Sequence, residues 1–148
     1  MPPKTIRPIA ICVFRDNGRI LVAEAYDSMK NQVFYRPLGG TIEFGEHSRD
    51  TIRREMREEI NAEVTDLRYL GTLENIFTYE GHPGHEIVQV YDGRLADPSL
   101  YVQESIEGYE MDVDESFKVV WKHLDDFGPG KPPVYPDGLL GLLGIVRE

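Results

Sequence analysis

The chain has 148 residues, with 26 Asp and Glu against 16 Lys and Arg, for a net charge of −10. Its pI of about 4.8 excludes electrostatic binding to nucleic acid polymers or anionic membranes. The length predicts one domain, 1–148, with a sizeable core. One cysteine, Cys12, rules out an internal disulfide and fits a reducing cytoplasm.

The first apolar run, 9–14, is followed by Arg15 and is too short for a signal peptide or membrane span. Residues 9–15 and 20–25 read as strands around Asp16-Asn17-Gly18-Arg19, a strong hairpin signal. Val33–Arg36 is a short strand leading into Pro37-Leu38-Gly39-Gly40. Residues 48–60 read as a helix with Ser48 as its N-cap. Strands are expected at Val64–Leu73, Ile76–Tyr79, Glu86–Leu95 and Phe117–Trp121, which are rich in β-branched and aromatic residues. The acidic stretch 97–115 reads as a long mobile connection. After the Pro- and Gly-rich segment 128–136, Asp137 is expected to cap a short helix carrying Leu139, Leu140, Leu142 and Leu143.

The helix 48–60 holds the chemistry. At about 100° per residue, Ile52, Met56 and Ile60 form an apolar stripe. Glu59, Glu55 and Glu58 form a carboxylate patch beside it. Glu55–Glu58 and Glu55–Glu59 are like-charge neighbours that cost an isolated helix about 0.2–0.5 kcal/mol each. A divalent cation would reverse that cost. Carboxylates without Cys or His suit a hard ion, Mg2+ first and Mn2+ second. Glu46, just before the helix, is a further candidate ligand. Asp50–Arg54 and Arg54–Glu58 also have the spacing of ordinary surface ion pairs. The joint presence of Gly39-Gly40, Glu46 and three clustered glutamates favours the metal reading.

Gly40, Glu46 and Arg54-Glu55-Met56-Arg57-Glu58-Glu59 together resemble the box of the Nudix family, G-x5-E-x7-R-E-U-x-E-E-x-G-U, where U is bulky and aliphatic. Asn61 replaces the second glycine. A left-handed residue is favoured there, and Asn tolerates that conformation next best.

The resemblance implies an α/β (α+β) Nudix fold, a mixed sheet sandwiched between helices. It also implies Mg2+-dependent hydrolysis of a phosphoanhydride in a nucleoside diphosphate linked to another group. Glu55, Glu58 and Glu59 would be metal ligands, with Glu55 or Glu58 as general base and Arg54 holding the glutamates. Family members often recruit one more acidic ligand. Glu86, Glu110, Asp114 and Glu115 are eligible, with Glu86 preferred and Glu115 next.

Gly39 and Gly40, candidate substrate-binding residues, let the backbone turn tightly beside the helix N-terminus, and Arg36 or Lys30 could hold a phosphate. Tyr79 lies 17 residues past Ala62, a spacing associated in the family with dinucleoside polyphosphate hydrolases. ADP-ribose or a nucleotide sugar is the alternative substrate. A non-catalytic nucleotide-binding module is the alternative of another class. A homodimer is left open.

Overall fold

The computed structural model describes residues 4–145. Residues 1–3 and 146–148, the two ends of the expected domain 1–148, lie outside the described residues. Eight strands and two helices follow the order β1 (Ile6–Asp16), β2 (Arg19–Asp27), β3 (Gln32–Arg36), β4 (Leu38–Thr41), α1 (Ser48–Ile60), β5 (Val64–Tyr79), β6 (His82–Leu95), β7 (Ser105–Glu110), β8 (Glu115–His123) and α2 (Leu139–Ile145).

β1 organises the sheet. Along one edge it pairs in parallel with β6, from Ile6↔His85 to Phe14↔Gly93. Along the other it pairs antiparallel with β4, Ile9↔Thr41 to Cys12↔Leu38. It meets β2 only at Arg15↔Ile20 and Asp16↔Arg19, beside the hairpin turn. There Asn17 and Gly18 both adopt positive φ, as the right-handed twist of the flanking strands requires. β2 then diverges, flanked by β3 and β8, and β7 pairs outside β8. The sheet therefore opens like a V from the β1–β2 turn.

β1 is buried on both faces, and its side chains alternate with period two. Ala10, Cys12 and Phe14 pack with Leu38, Ile52, Met56 and Ile60 on the α1 side. Ile9, Ile11 and Val13 pack with Val88, Val90, Leu139 and Leu143 on the α2 side. The predicted stripe of α1 is thus its docking face, and the sheet lies between the two helices. Asn61 ends α1 at φ 52° and ψ 44°. Its N–H and that of Ala62 close on the carbonyls of Arg57 and Met56. Asn supplies the left-handed cap expected of the missing glycine.

Several expectations need correction. His47, not Ser48, is the N-cap, without a side-chain cap bond. Ser48 Oγ lies 2.6 Å from Tyr91 Oη instead. The two strands expected at 64–73 and 76–79 are one, β5, which absorbs its curvature in register shifts between Thr65 and Arg68 and between Tyr69 and Gly71. The stretch 97–115 is not a bare connection, because it holds a 3-10 turn, Pro98–Tyr101, and β7. α2 opens at Leu139, two residues after Asp137, whose backbone N–H binds Asn75 Oδ1.

At the open end of the V, two hairpin tips are tied together. Buried Asp27 accepts the N–H groups of Met29 and Lys30 with one oxygen and that of Glu80 with the other. Ser28 donates both its backbone N–H and its hydroxyl to the Glu80 carboxylate. Tyr79 Oη reaches the Tyr26 carbonyl at 3.4 Å.

Candidate active site

A cleft of about 770 Å3 lies in the V, within the size range of small-ligand sites. Arg54, Glu55, Glu58, Gly39, Gly40 and Arg36 line it. Tyr79, Glu86 and Lys30 also line it. Glu59 and Glu46 join through direct partners, Glu55 and Arg54 respectively. Glu115 pairs across from Glu110 at the start of β8 and lies outside the lining, whereas Glu110 is part of it.

Arg54 is the hub. Its Nε and Nη2 grip Glu46 at 2.8 and 3.0 Å. Its Nη1 donates to Glu55 at 2.9 Å and to Glu58 at 3.3 Å. Nη2 also reaches the Thr41 carbonyl at 3.1 Å, fixing α1 to the end of β4. Planar, forked donors make this possible, and a lysine could not reproduce it. The Arg54 hydrogen bonds hold the Glu46 carboxyl down at about 2, helped by Thr51 and the Glu43 backbone. Both Glu46 oxygens are therefore committed to protein partners.

Glu59 is the opposite case. It is buried, 7 % exposed, and bonded to Glu55. Burial pushes its carboxyl up to about 10. The hydrogen bond and charge of Glu55 add to that, Arg36 opposes it, and Glu110 reinforces it. Burial and the adjacent Glu55 charge both disfavour the ionised form of Glu59, so in the metal-free protein Glu59 keeps its proton. Among the described residues no three carboxylates already stand in a ligand arrangement, since Arg54 sits among Glu46, Glu55 and Glu58. The donor chemistry nevertheless fits a hard divalent ion, with a buried acid pair whose excess charge a cation would balance in place of the proton.

This geometry sets a pH dependence. The folded Glu59 value lies above its unfolded value, so its contribution to stability is complete below about pH 4.5 and lost as pH rises toward 10. With metal chelated, the wild type should lose stability between pH 5 and 9, by up to about 1.4 kcal/mol per pH unit per proton. Glu59→Gln should lose that slope and melt above the wild type at pH 8. Parallel melting-temperature profiles from pH 5 to 9 would contradict it.

The glycines shape the floor. At Gly39 an added Cβ would overlap the Ala10 carbonyl oxygen and stand 2.7 Å from Ile11 Cα. At Gly40 it would run into the Glu55 carboxylate, 2.8 Å from Oε2.

The NUDIX domain family matches residues 4–137, most of the chain. The chain belongs to the Nudix family. Among curated proteins, this Nudix chain is 39% identical over 62 residues to the human mitochondrial NAD(P)H pyrophosphatase NUDT13. That stretch is 42% of this chain and only 17% of the relative's length. Solved structures align with this fold over most of the chain. The MutT NUDIX hydrolase of Burkholderia pseudomallei aligns with TM-score 0.56 at 17% identity, over 94% of this chain and 97% of its own. The ORF135 protein of E. coli aligns with TM-score 0.54 at 19% identity, covering 94% and 87%.

The aromatic end of the cleft is not legible as a unit in the sequence. Phe34 lies 5.8 Å from Tyr79 and 5.7 Å from Tyr135, edge-on to both. The alternation Gln32-Phe34-Arg36 was a usable signal for one strand face, but Tyr135 comes from a segment about a hundred residues away. Glu86 also lines the cleft, 3.6 Å from Arg7 and 3.4 Å from Asn75.

Proposed function

We propose that this Nudix chain is a divalent-metal-dependent hydrolase cleaving a phosphoanhydride in a nucleoside diphosphate linked to another group. One observation carries the reading. Glu55 and the Arg54-bound Glu58 line a cleft large enough for a nucleotide, and Glu59 is buried behind them in contact with Glu55. Glu55, Glu58 and Glu59 would hold Mg2+, or Mn2+. Such an ion would supply charge neutralisation for the diphosphate and a more acidic water at neutral pH.

The remaining work belongs to the chain. Glu55 or Glu58, both at the cleft surface, takes the proton from the attacking water. Arg54 fixes the orientation of both. Glu46 acts through Arg54, because its oxygens are taken by Arg54 and Thr51. Arg36 draws the phosphates toward the carboxylates, which the net charge of −10 would otherwise repel. Glu86, tied to Arg7, is the candidate for an additional ligand. The cytoplasm suits a chain with one buried thiol. Among the described residues no helix is long and apolar enough to cross a membrane.

For substrate, a dinucleoside polyphosphate or free nucleotide is the first reading, supported by Tyr79 in the cleft wall. The stretch shared with an NAD(P)H pyrophosphatase favours a second, in which ADP-ribose or a nicotinamide dinucleotide is cleaved. The test incubates protein and Mg2+ with a panel of both kinds and identifies the products. Tyr79→Ala should lower the efficiency ratio of dinucleoside polyphosphate over ADP-ribose by about 5-fold or more. A wild-type preference for ADP-ribose, or an unchanged ratio, would defeat the first reading alone.

A further inference from the structure

β3 crosses the cleft with alternating faces. Tyr35 and Val33 pack into the α2-side core, and Gln32, Phe34 and Arg36 line the cleft. Side chains two residues apart on one face of a strand stand about 6.6 Å apart. Arg36 is at the carboxylate end, close enough for its charge to act on Glu59. Phe34 is one step away and meets the rings of Tyr79 and Tyr135. Gln32 is one step further. The strand thus presents a cation, an aromatic wall and an amide in line.

We propose that the Gln32–Phe34–Tyr135 end of the cleft seats the planar heterocycle of the substrate nucleotide, an inference that rests on the proposed function. A heterocycle stacks on an aromatic ring whatever its identity. An amide offers a donor and an acceptor that pair with a ring edge. The other amide nearby, Asn75, is buried and already bonded to Glu86 and to the Asp137 backbone. Gln32 is therefore the group that reads the ring, and Phe34 is the group that holds it. Their order on β3 fixes polarity: heterocycle toward Gln32, diphosphate toward Arg36.

Two arms test this. Saturation-transfer NMR uses adenosine 5′-monophosphate and nicotinamide mononucleotide without metal. The ring protons of at least one should receive saturation from the wild type and Phe34→Trp, with transfer reduced at least 5-fold in Phe34→Leu. Which probe responds tells a purine from a nicotinamide. No transfer to either ring would overturn the proposal.

The kinetic arm compares ADP-ribose with di(5-ribosyl) diphosphate, which keeps both riboses and the bridging diphosphate and lacks only the heterocycle. The ratio of their kcat/KM values should fall about 5- to 150-fold in Phe34→Leu, the range for loss of one stacking ring, and recover in Phe34→Trp. An unchanged ratio in an active, folded variant overturns the seat and leaves the hydrolase reading intact. Ring saturation in a wild type that cleaves nothing does the reverse. Should Phe34→Leu fail to fold, Gln32→Ala decides. It should change the ratio of the two mononucleotide affinities at least 5-fold, and an unchanged ratio overturns the proposal.

Discussion

Glu58→Gln and Glu59→Gln should each lose about 10^2- to 10^4-fold in kcat/KM with Mg2+, the scale on which a positioned acid–base group contributes, while remaining folded. Both substitutions keep the shape of the side chain and remove its ability to carry negative charge. Glu58 is on the cleft surface, 41 % exposed at its side chain, so its loss leaves the core untouched. Glu59 is buried, but in the metal-free protein it is already held neutral beside Glu55, so an amide replaces an acid at little cost. Mg2+ should raise the melting temperature of the wild type and barely that of either variant, because a ligand of the native state stabilises by mass action. Near-normal turnover in either variant, or equal Mg2+-induced shifts in all three proteins, would remove these glutamates from the site. Loss of activity through unfolding would show in the melting curve.

Gly39→Ala and Gly40→Ala should fail in different ways. At Gly39 the obstacle is backbone. The added methyl would overlap the Ala10 carbonyl and crowd Ile11 Cα, in the strand that is buried on both faces. β1 and β4 must separate or the hydrogen bonds of Ile9–Cys12 must break, at about 3 kcal/mol or more. For a chain of this length that lowers the melting temperature by roughly 10 °C.

At Gly40 the obstacle is the far end of the Glu55 side chain, which can swing away. The fold should survive within about 1 kcal/mol, and turnover should collapse because Glu55 leaves both Arg54 and Glu59. Paired melting curves and kcat/KM measurements separate the two. A Gly39→Ala protein as stable as the wild type would mean that the β1–β4 contact is looser than described. A fully active Gly40→Ala protein would deny Glu55 its role.

The legible parts of this fold were those specified by neighbours in sequence. Asn17-Gly18 selects its turn through positive φ alone, and α1 carries its docking stripe, carboxylate patch and left-handed terminus within fourteen residues. β4 was not legible, because Leu38-Gly39-Gly40-Thr41 has poor strand propensity and is extended by the pairing that β1 supplies. β7 hid for a related reason. Ile106 and Gly108 are its two buried positions, too few to establish an alternation without knowing that β8 lies beside it. Within the site, Glu46 belonged to the motif, but no spacing reveals that both its oxygens go to Arg54 and Thr51. The aromatic wall joins β3, the end of β5 and a segment beside Pro136, an assembly visible only after folding.

The tie between Ser28 and Glu80 gives the V a mechanical character. A V joined at one corner is a hinge, and its opening angle is free. Here the apex is fixed by the β1–β2 turn and the mouth by a second strut, anchored at buried Asp27 and locked to a residue fifty-two positions away. Two tied points brace the frame, so widening the mouth along these arms means breaking the hydrogen bonds of Glu80 to Ser28 and Asp27. Met111 and Val113 of the β7–β8 tip line the cleft outside this brace.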